Sequence, residues 1–325
     1  MIRYIIDRVL QGLVVVAVMS FVIYGLIGLM PGDPIDLMIS SNPNLTAEDA
    51  ARLRRVQGLD RPILERYAAW AGAAIHGDFG YSRAFSRPVI EVIGPRLANT
   101  AALMIAAFVV ALAIGLPAGI FAAAKPGSVP DTLVNLASFV TISVPTFWLA
   151  LMMIIVFAVE LGWLPASGLP TGEAGFWEHV RYLVLPVATL AIVEAGAYAR
   201  YMRAAMIEAL RNDFVRTARA KGASWTRTLL GHALRNAMIP VVTIMALSFG
   251  GLFSGALITE TMFAYPGMGK LIFDSVMGND YNLALVTLLF ATVLTLVGNL
   301  IADLAYVALD PRISLSAGPE RGRAR

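Results

Sequence analysis

The chain has 325 residues, of which 58% are hydrophobic and only 14% are charged, whereas a typical soluble domain has about 25% charged residues. This composition excludes an ordinary water-soluble enzyme. Because the chain contains no cysteine, disulfides, iron–sulfur clusters and thiolate zinc sites are excluded as well. The formal net charge of +3 would suggest a nucleic-acid partner in a soluble protein. In a membrane protein the position of the basic residues matters more than their sum, so no nucleic-acid partner is expected.

Six apolar segments predict an all-α polytopic membrane protein with six transmembrane helices. A helix needs about 20 apolar residues to cross the hydrocarbon core, and each segment except one contains no charged residue. The segments are 9–30, 97–124, 132–159, 182–199, 236–259 and 281–302. The exception is 182–199, which contains Glu194. The first segment is too long for a signal peptide, and no small-residue cleavage site follows it.

The distribution of basic residues predicts that both termini are cytoplasmic. With the N-terminus inside, segment 200–235 is cytoplasmic and contains eight basic residues against two acidic ones, in accordance with the positive-inside rule. Region 31–96 is too long for that rule, and we expect it to form an external cap of helices that begin after Thr46 and Pro62. The predicted division is an N-terminal helix (1–30), this cap (31–96), a transmembrane domain (97–312) with a cytoplasmic loop (200–236), and a disordered cytoplasmic tail (313–325).

Two glycine-containing motifs resemble enzyme signatures without completing them. The motif Gly267-Met268-Gly269-Lys270 lacks the earlier glycine and the following Ser or Thr of a phosphate-binding loop, so it predicts a turn before a short loop helix. Segment 80–84 resembles a nucleophile elbow around Ser82, but its last position is Ala84, and no histidine lies in a predicted span to act as a base. We therefore expect no catalytic residue and no metal site.

Several residues inside the predicted spans are candidates for the transport pathway or for helix packing. A carboxylate in mid-span is costly, so Glu194 is a possible pathway-lining residue, with a structural hydrogen bond as the alternative. The pairs Gly115/Gly119 and Gly251/Gly255 have the spacing that favours close helix packing. Four prolines are expected to be able to kink their helices. They are Pro117, Pro145, Pro186 and Pro240.

A basic amphipathic helix is predicted between the fourth and fifth spans. Small and aromatic residues recur there at spacings of three and four, which predicts one helical face. They are Phe214, Ala218, Gly222, Trp225 and Leu229. Such a helix could rest on anionic lipid or dock on a protein, and a face rich in Ala and Gly favours docking on a protein.

Six motifs, distributed along the chain, resemble those of ABC importer permeases. Two of them, TARAKG at 217–222 and HALRNAMIP at 232–240, are similar to the cytoplasmic EAA loop of these permeases in its peptide-transporter form. The others are LDRP at 59–62, GDFGYS at 77–82, YPGMG at 265–269 and LDPR at 309–312. Nearly the whole chain resembles the B subunits of dipeptide and oligopeptide permeases. Arg216 and Arg235 depart from the general EAA pattern, as is usual in the peptide branch.

The resemblance implies a type I ABC importer (MetI-like) fold with five core helices around a central pathway, preceded by an extra N-terminal helix and the external cap. It implies a complex in the bacterial cytoplasmic (inner) membrane with a homologous second permease subunit, two ABC ATPase subunits and an external substrate-binding protein. ATP and Mg²⁺ would bind to the ATPases. The chain itself is therefore expected to hold no cofactor and not to be an enzyme.

The same resemblance implies that residues 214–224 form the coupling helix that docks on one ATPase. The candidate contact residues are Phe214, Arg216, Thr217, Ala218, Arg219, Ala220, Lys221, Gly222, Ala223 and Ser224. The expected substrate is a peptide, with nickel, glutathione, an opine or an oligosaccharide as alternatives in the same branch. A proton-coupled secondary transporter that uses Glu194 and Asp303 is the alternative of another class, although the paired broken helices of such carriers are not evident in the sequence.

Overall fold

The computed structural model describes residues 2–29, 46–56, 58, 60–170, 172 and 174–309. Within these residues the chain forms a bundle of helices and a two-stranded hairpin, in which Tyr81 pairs with Pro88 and Ser82 with Arg87. In chain order the elements are α1 (Ile2–Gly28), α2 (Ala47–Val56), α3 (Ile63–Ile75), β1 (Tyr81–Ser82), β2 (Arg87–Pro88), α4 (Val89–Ala124), α5 (Val129–Ser143), α6 (Thr146–Met153), α7 (Phe176–Arg211), α8 (Asp213–Ala220), α9 (Leu234–Met262), α10 (Met268–Met277) and α11 (Tyr281–Leu309). Wide π-helical turns extend α6 over Ile154–Glu160 and precede α9 over Arg227–Ala233.

The bundle has two chemically different ends. We call the end that carries residues 211–233 the basic end, and the opposite end, with the hairpin and α10, the cap end. Five helices of the described chain are long and apolar enough to cross a membrane, and the bent pair α5–α6 is a sixth if it counts as one span. This agrees with the six predicted spans. The expected tail at 313–325 lies outside the described residues.

The helices α4 and α7 are longer than the apolar segments that predict them. Each has 36 residues, which corresponds to about 54 Å, against about 30 Å for the hydrocarbon core. Because α4 begins at Val89, Glu91 and Arg96 belong to this helix rather than to a separate cap. A search for uncharged runs finds only the lipid-embedded part of a helix, which is why it places the start of α4 at 97.

The third predicted span, 132–159, is not one straight helix. After α5 ends at Ser143, α6 begins at Thr146 at an angle of 100° to it. Pro145 lies at the break, because it has no backbone N–H to donate and favours an extended residue before it; Val144 has that extended conformation. The other three prolines lie within continuous helices. They are Pro117, Pro186 and Pro240.

Glycines bring α4 and α7 into direct backbone contact. A Cβ atom on Gly115 would lie 2.7 Å from the carbonyl oxygen of Ala195, and one on Gly119 would lie 2.5 Å from that of Ala199. Gly196 of α7 lies similarly close to α5. The packing role that the small-xxx-small spacing predicts is therefore confirmed for the pair on α4.

Two apolar clusters join the helices near opposite ends of the bundle. The first connects α4, α7 and α9 near the basic end, and its buried residues are Ala123, Met202, Met206, Ala209, Ala233, Ala237 and Val241. The second connects α4, α6, α7 and α9 nearer the cap end, and includes Leu103, Met104, Ala150, Leu185, Ala256 and Phe263. The glycine pair at 251 and 255 falls in a part of α9 whose packing lies outside the described residues.

The N-terminal helix α1 lies at the edge of the bundle against α11. An apolar cluster joins the two helices, and Arg8 forms an ion pair with Asp303 at 2.8 Å. The cap helix α3 begins after Pro62, as predicted, and places Tyr67 against Phe21 and Tyr24 of α1. The cap is therefore anchored on the N-terminal helix.

The helix α2 begins with the predicted cap. The N–H of Asp49 donates to the hydroxyl of Thr46 at 3.2 Å, and the Asp49 carboxylate accepts the Thr46 N–H at 3.0 Å. These reciprocal bonds are those of a capping box. Hydrogen bonds from Thr46 hold the pKa of the Asp49 carboxyl below its usual value.

Candidate functional site

The loop between α7 and α9, residues 212–233, is called the basic loop. It consists of two helical segments, α8 and the π-helical turn Arg227–Ala233, joined by a tight turn. Gly222 has a φ of +85°, and its N–H donates to the carbonyl oxygen of Arg219 at 2.9 Å, while the N–H of Ala223 donates to that of Ala218 at 3.1 Å. These bonds form a Schellman cap, in which the left-handed residue is usually glycine. The prediction of one continuous helix over 214–224 is therefore wrong, because the chain turns at Gly222.

The face that the residue spacing predicts is divided between the interior and the surface. Ala218 is buried beside Val215, and Leu229 is partly buried against the cluster at the basic end. Phe214 and Trp225 remain outside, 37% and 39% exposed. The inward residues anchor the loop to the bundle, and the outward residues form a separate surface.

The outward surface of the loop is basic and aromatic. Eight of the ten residues predicted to contact an ATPase are exposed, Ala223 is half-buried and Ala218 is buried. The exposed ones are Phe214, Arg216, Thr217, Arg219, Ala220, Lys221, Gly222 and Ser224. The Arg219 guanidinium lies over the Trp225 ring, 5.0 Å from its centroid, and Arg216 pairs with Asp213 at 3.3 Å. We call these eight residues and Trp225 the basic surface.

The helix α7 connects the basic surface directly to the bundle, since Asn212 alone separates α7 from α8. Near this junction Arg203 binds both carboxylate oxygens of Asp131 in α5, at 2.5 and 2.8 Å. Asp131 is buried and also accepts the N–H of Gly127 in the preceding turn. The sequence does not reveal this pair, because Asp131 lies just before one apolar segment and Arg203 lies one turn beyond the end of the next. Opposite charges near the ends of neighbouring segments are the signal that could have found it.

Glu194 lies in mid-helix on α7, as predicted, and is half-buried. Tyr198, one turn further along the same helix, is buried and packs edge-to-face on Phe108 of α4 at 6.1 Å. The Tyr198 side chain lies close enough to Glu194 for the two to interact. The place of Glu194 in a transport pathway stays a prediction.

A second carboxylate, which no sequence motif marks, is completely buried at the cap end. Glu260 of α9 accepts hydrogen bonds from the hydroxyl of Thr100 in α4 at 2.5 Å and from the N–H of Lys270 in α10 at 3.1 Å. Because Glu260 directly follows the uncharged run 236–259, the search for apolar segments passed over it. A polar residue at the very end of such a run is the only sequence signal.

The glycine motif at 267–270 surrounds this carboxylate. A Cβ atom on Gly267 would overlap the carboxyl group of Glu260, and one on Gly269 would overlap the backbone of Leu257. The motif lies at the start of α10, where backbone N–H groups favour a negative charge. The turn and loop helix expected here are confirmed. The group that the motif surrounds is the carboxylate of Glu260.

A third polar contact fixes the hairpin to the start of α11. Ser82 donates to Asp280 at 2.5 Å, and the same carboxylate accepts the N–H of Ala84 at 3.0 Å. Ser82 and Asp280 are both buried. Asp280 also accepts the N–H of Leu283 and so caps α11. The serine of the elbow-like segment 80–84 therefore joins the cap to the bundle.

Comparison with solved structures shows the fold. The MetNI methionine ABC transporter, solved in inward-facing conformations, is similar with a TM-score of 0.52 at 18% sequence identity, over 65% of this chain and 93% of that chain. Since the identity is low, the similarity concerns the fold alone. It confirms the predicted type I (MetI-like) fold.

Comparison with known sequences shows the family. The chain is 37% identical over 316 residues to the oligopeptide transport system permease protein AppB of Bacillus subtilis (strain 168), covering 96% of this chain and 99% of that protein. It is 38% identical over 313 residues to the glutathione transport system permease protein GsiC of Escherichia coli (strain K12), covering 96% and 99%. The family model described as binding-protein-dependent transport system inner membrane component matches residues 115–315, and the model of its N-terminal part matches residues 1–104. The chain therefore belongs to this family of multi-pass permeases of bacterial ABC transporters.

Proposed function

We propose that the chain is the pore-forming subunit of an ATP-driven importer for peptides that an external binding protein delivers. The observation that carries this proposal is the similarity over nearly the whole chain to an oligopeptide permease and to a glutathione permease. Glutathione is itself a small peptide, so both relatives point to the same class of substrate. Nickel, an opine or an oligosaccharide has no such support among these relatives.

The complex that this function requires contains a homologous second permease, two ABC ATPases and the binding protein, within a lipid bilayer. ATP and Mg²⁺ belong to the ATPases, so the chain needs no cofactor and catalyses no reaction itself. The bundle supports a partner in the membrane, because many large apolar side chains on its outside are exposed, among them Leu133, Leu136, Phe139 and Trp148. Lipid and the second permease together would cover these side chains.

We place the docking site of one ATPase on the basic surface, and both termini in the cytoplasm. Two features support a protein rather than lipid as the occupant. The surface follows the long helix α7 after Asn212 alone, and the buried Val215 and Ala218 fix it to the bundle. Its aromatic ring at Trp225 is covered by Arg219, which presents a flat cationic group instead of an apolar wedge for lipid insertion.

A bulky residue on the basic surface tests this assignment. Ala220 is exposed at the end of α8, so Ala220→Trp adds volume to the surface without altering the interior. The variant should still pair with the second permease but should lose the ATPases in a pull-down and lose ATP-driven peptide uptake in proteoliposomes. The matched control is Ala51→Trp, at an exposed position of α2, which should retain both. Full ATPase retention with unimpaired uptake by Ala220→Trp would contradict the docking site.

The driving force and the substrate are tested with the unaltered complex. Uptake of a labelled peptide into proteoliposomes should require ATP and the binding protein and should persist in the presence of a protonophore. Uptake that a protonophore abolishes and that needs no ATP would favour the proton-coupled alternative. Glutathione, an oligosaccharide and Ni²⁺ are tested as competitors in the same assay, and competition by Ni²⁺ alone would contradict a peptide substrate.

A further inference from the structure

Direct contacts form a continuous connection between the basic surface and the cap end. The basic surface is joined to α7 through Asn212. The helix α7 contacts α4 backbone to backbone at Gly115 and Gly119. Towards the cap end, α4 reaches Thr100, whose hydroxyl binds Glu260. Each of these contacts involves backbone or a buried polar group, and packed groups of this kind are displaced together more readily than they are separated.

The contact between α4 and α10 is the most polar part of this connection. Thr100 donates to Glu260 and accepts the N–H of Met268 at 2.7 Å, so its hydroxyl is both a donor and an acceptor of hydrogen bonds. The neighbouring Asn99 donates its amide to the carbonyl oxygen of Pro266 at 2.8 Å. Two adjacent residues of α4 thus hold the turn and the first residue of α10 through two hydrogen bonds, and a third bond, from Thr100 to Glu260, ties them to the end of α9, whose carboxylate in turn accepts the N–H of Lys270 in α10.

The carboxylate makes this contact specific to one geometry. An ionised or polar group that loses its partners in the interior is costly, so Glu260 is stable only while Thr100 and the N–H groups of α10 remain in place. The glycines at 267 and 269 let the turn approach this closely, because a Cβ atom at either position would overlap Glu260 or Leu257. An apolar side chain at position 260 would make none of these directional contacts.

We propose that Thr100 and Glu260 form a fixed joint through which α4 carries movements of the basic surface to α10, so that α10 and the outer part of α4 move as one body during transport. The inference rests on the proposed function, because the ATPases would supply the movement. Its consequence lies on the outside of the cap end, where α10 exposes Phe273 and Met277. Glu260 and Thr100 are thus positioning residues that link the binding-protein side to the ATPase side.

The first test compares variants of the joint in the reconstituted complex. Thr100→Val removes the donor with little change of volume, and Glu260→Gln replaces one of two accepting oxygens, which bind Thr100 and the N–H of Lys270, by an NH₂ donor. Thr100→Ser keeps the hydroxyl. Stimulation of ATP hydrolysis by the loaded binding protein should fall at least about fivefold in Val and Gln variants, the lower end of usual coupling effects, while the amount of bound ATPase stays at the wild-type level. The Ser variant should behave like the wild type. Normal stimulation in both the Val and Gln variants would overturn the joint.

A second test does not depend on destabilising substitutions. Since the chain has no cysteine, Asn99→Cys and Pro266→Cys can be bridged selectively by a short reducible cross-linker between α4 and the turn. A joint that stays closed predicts that bridged and reduced complexes transport at the same rate, and that the bridge restores stimulation to Glu260→Gln. Loss of transport on bridging, with recovery on reduction, would instead show that the contact opens in each cycle. A wild-type complex that binds no ATPase would contradict the proposed function rather than the joint.

Discussion

The guanidinium of Arg203 in α7 binds both carboxylate oxygens of Asp131 in α5, so that two helices are joined beside the basic surface. The Asp131 side chain is only 4% exposed and that of Arg203 is 26% exposed. Loss of one partner leaves the other charge without compensation, which costs roughly 3–5 kcal/mol for a fully buried pair. We expect Asp131→Asn to lower the free energy of unfolding by somewhat less than this, because Arg203 keeps part of its hydration.

The measurement is thermal unfolding of the purified complex in detergent. The pair Asp213 and Arg216 provides the control, because both side chains are largely exposed and such pairs contribute about 0–1 kcal/mol. Asp213→Asn should therefore leave the melting temperature nearly unchanged. Equal effects of the two substitutions would show that burial of Asp131 does not matter for stability.

A second prediction concerns the contact between α4 and α7 at Gly119. A Cβ atom there would lie 2.5 Å from the carbonyl oxygen of Ala199, so Gly119→Ala should force the helices apart and destabilise the chain by about 1–3 kcal/mol, the usual cost of overpacking. Gly25→Ala in α1 is the control, since no atom lies within 4 Å of the added methyl group. It should be neutral or stabilising, because Ala favours helices. The assay is the same thermal unfolding.

A third prediction separates conformation from bulk at Gly222. No atom of the chain lies within 4 Å of a Cβ placed there, so the requirement for glycine within the chain is the positive φ. Asn tolerates this conformation better than Val, and Gly222→Asn should retain more bound ATPase in a pull-down than Gly222→Val. Gly231→Ala, at a position without positive φ, should bind like the wild type. Equal retention by Asn and Val would mean that the turn is not needed for docking.

A fourth prediction concerns the carboxylate in mid-helix. Glu194→Gln keeps the volume of the side chain and an oxygen that accepts hydrogen bonds, so we expect it to leave ATP-driven uptake within a few-fold of the wild type. Uptake and ATP hydrolysis are measured in the same proteoliposomes. Complete loss of uptake with normal assembly and normal hydrolysis would revive the role of Glu194 in a proton-coupled mechanism.

The fifth prediction tests the proposed orientation. Arg83 in the hairpin and Thr217 in the basic surface are both exposed and lie at opposite ends of the bundle. In spheroplasts an impermeant thiol reagent should label Arg83→Cys at once and Thr217→Cys only after lysis. The unaltered chain supplies a background without thiols. The reverse order of labelling would invert the topology.

The length of an uncharged segment predicts the spans well, because placing a charged side chain in lipid is costly. The same criterion fails where a helix leaves the lipid, as at Val89, and where a bend depends on packing as well as on Pro145. It also omits the charged residues that directly border a run. Asp131, Glu260 and Asp280 are such residues, and their partners lie far away in the sequence.

The basic loop shows the other limit of sequence periodicity. The regular spacing from Phe214 onwards predicts a helix correctly as far as Ala220, and the prediction then breaks down at Gly222, where the positive φ ends the helix. A glycine within an apparent helix has two interpretations, close packing or a C-cap. Only the backbone geometry distinguishes them.

The bond between Ser82 and Asp280 makes the cap and the last helix interdependent. If the hairpin of a relative with another residue in place of Ser82 were grafted onto this chain, the buried carboxylate of Asp280 would lose its closest donor, and the start of α11 would lose an anchor. Hybrid permeases that exchange the hairpin and the 278–283 turn together should thus assemble, whereas hybrids that exchange either part alone should be cleared by membrane proteases. The bond thus links the two regions that the family models match, 1–104 and 115–315.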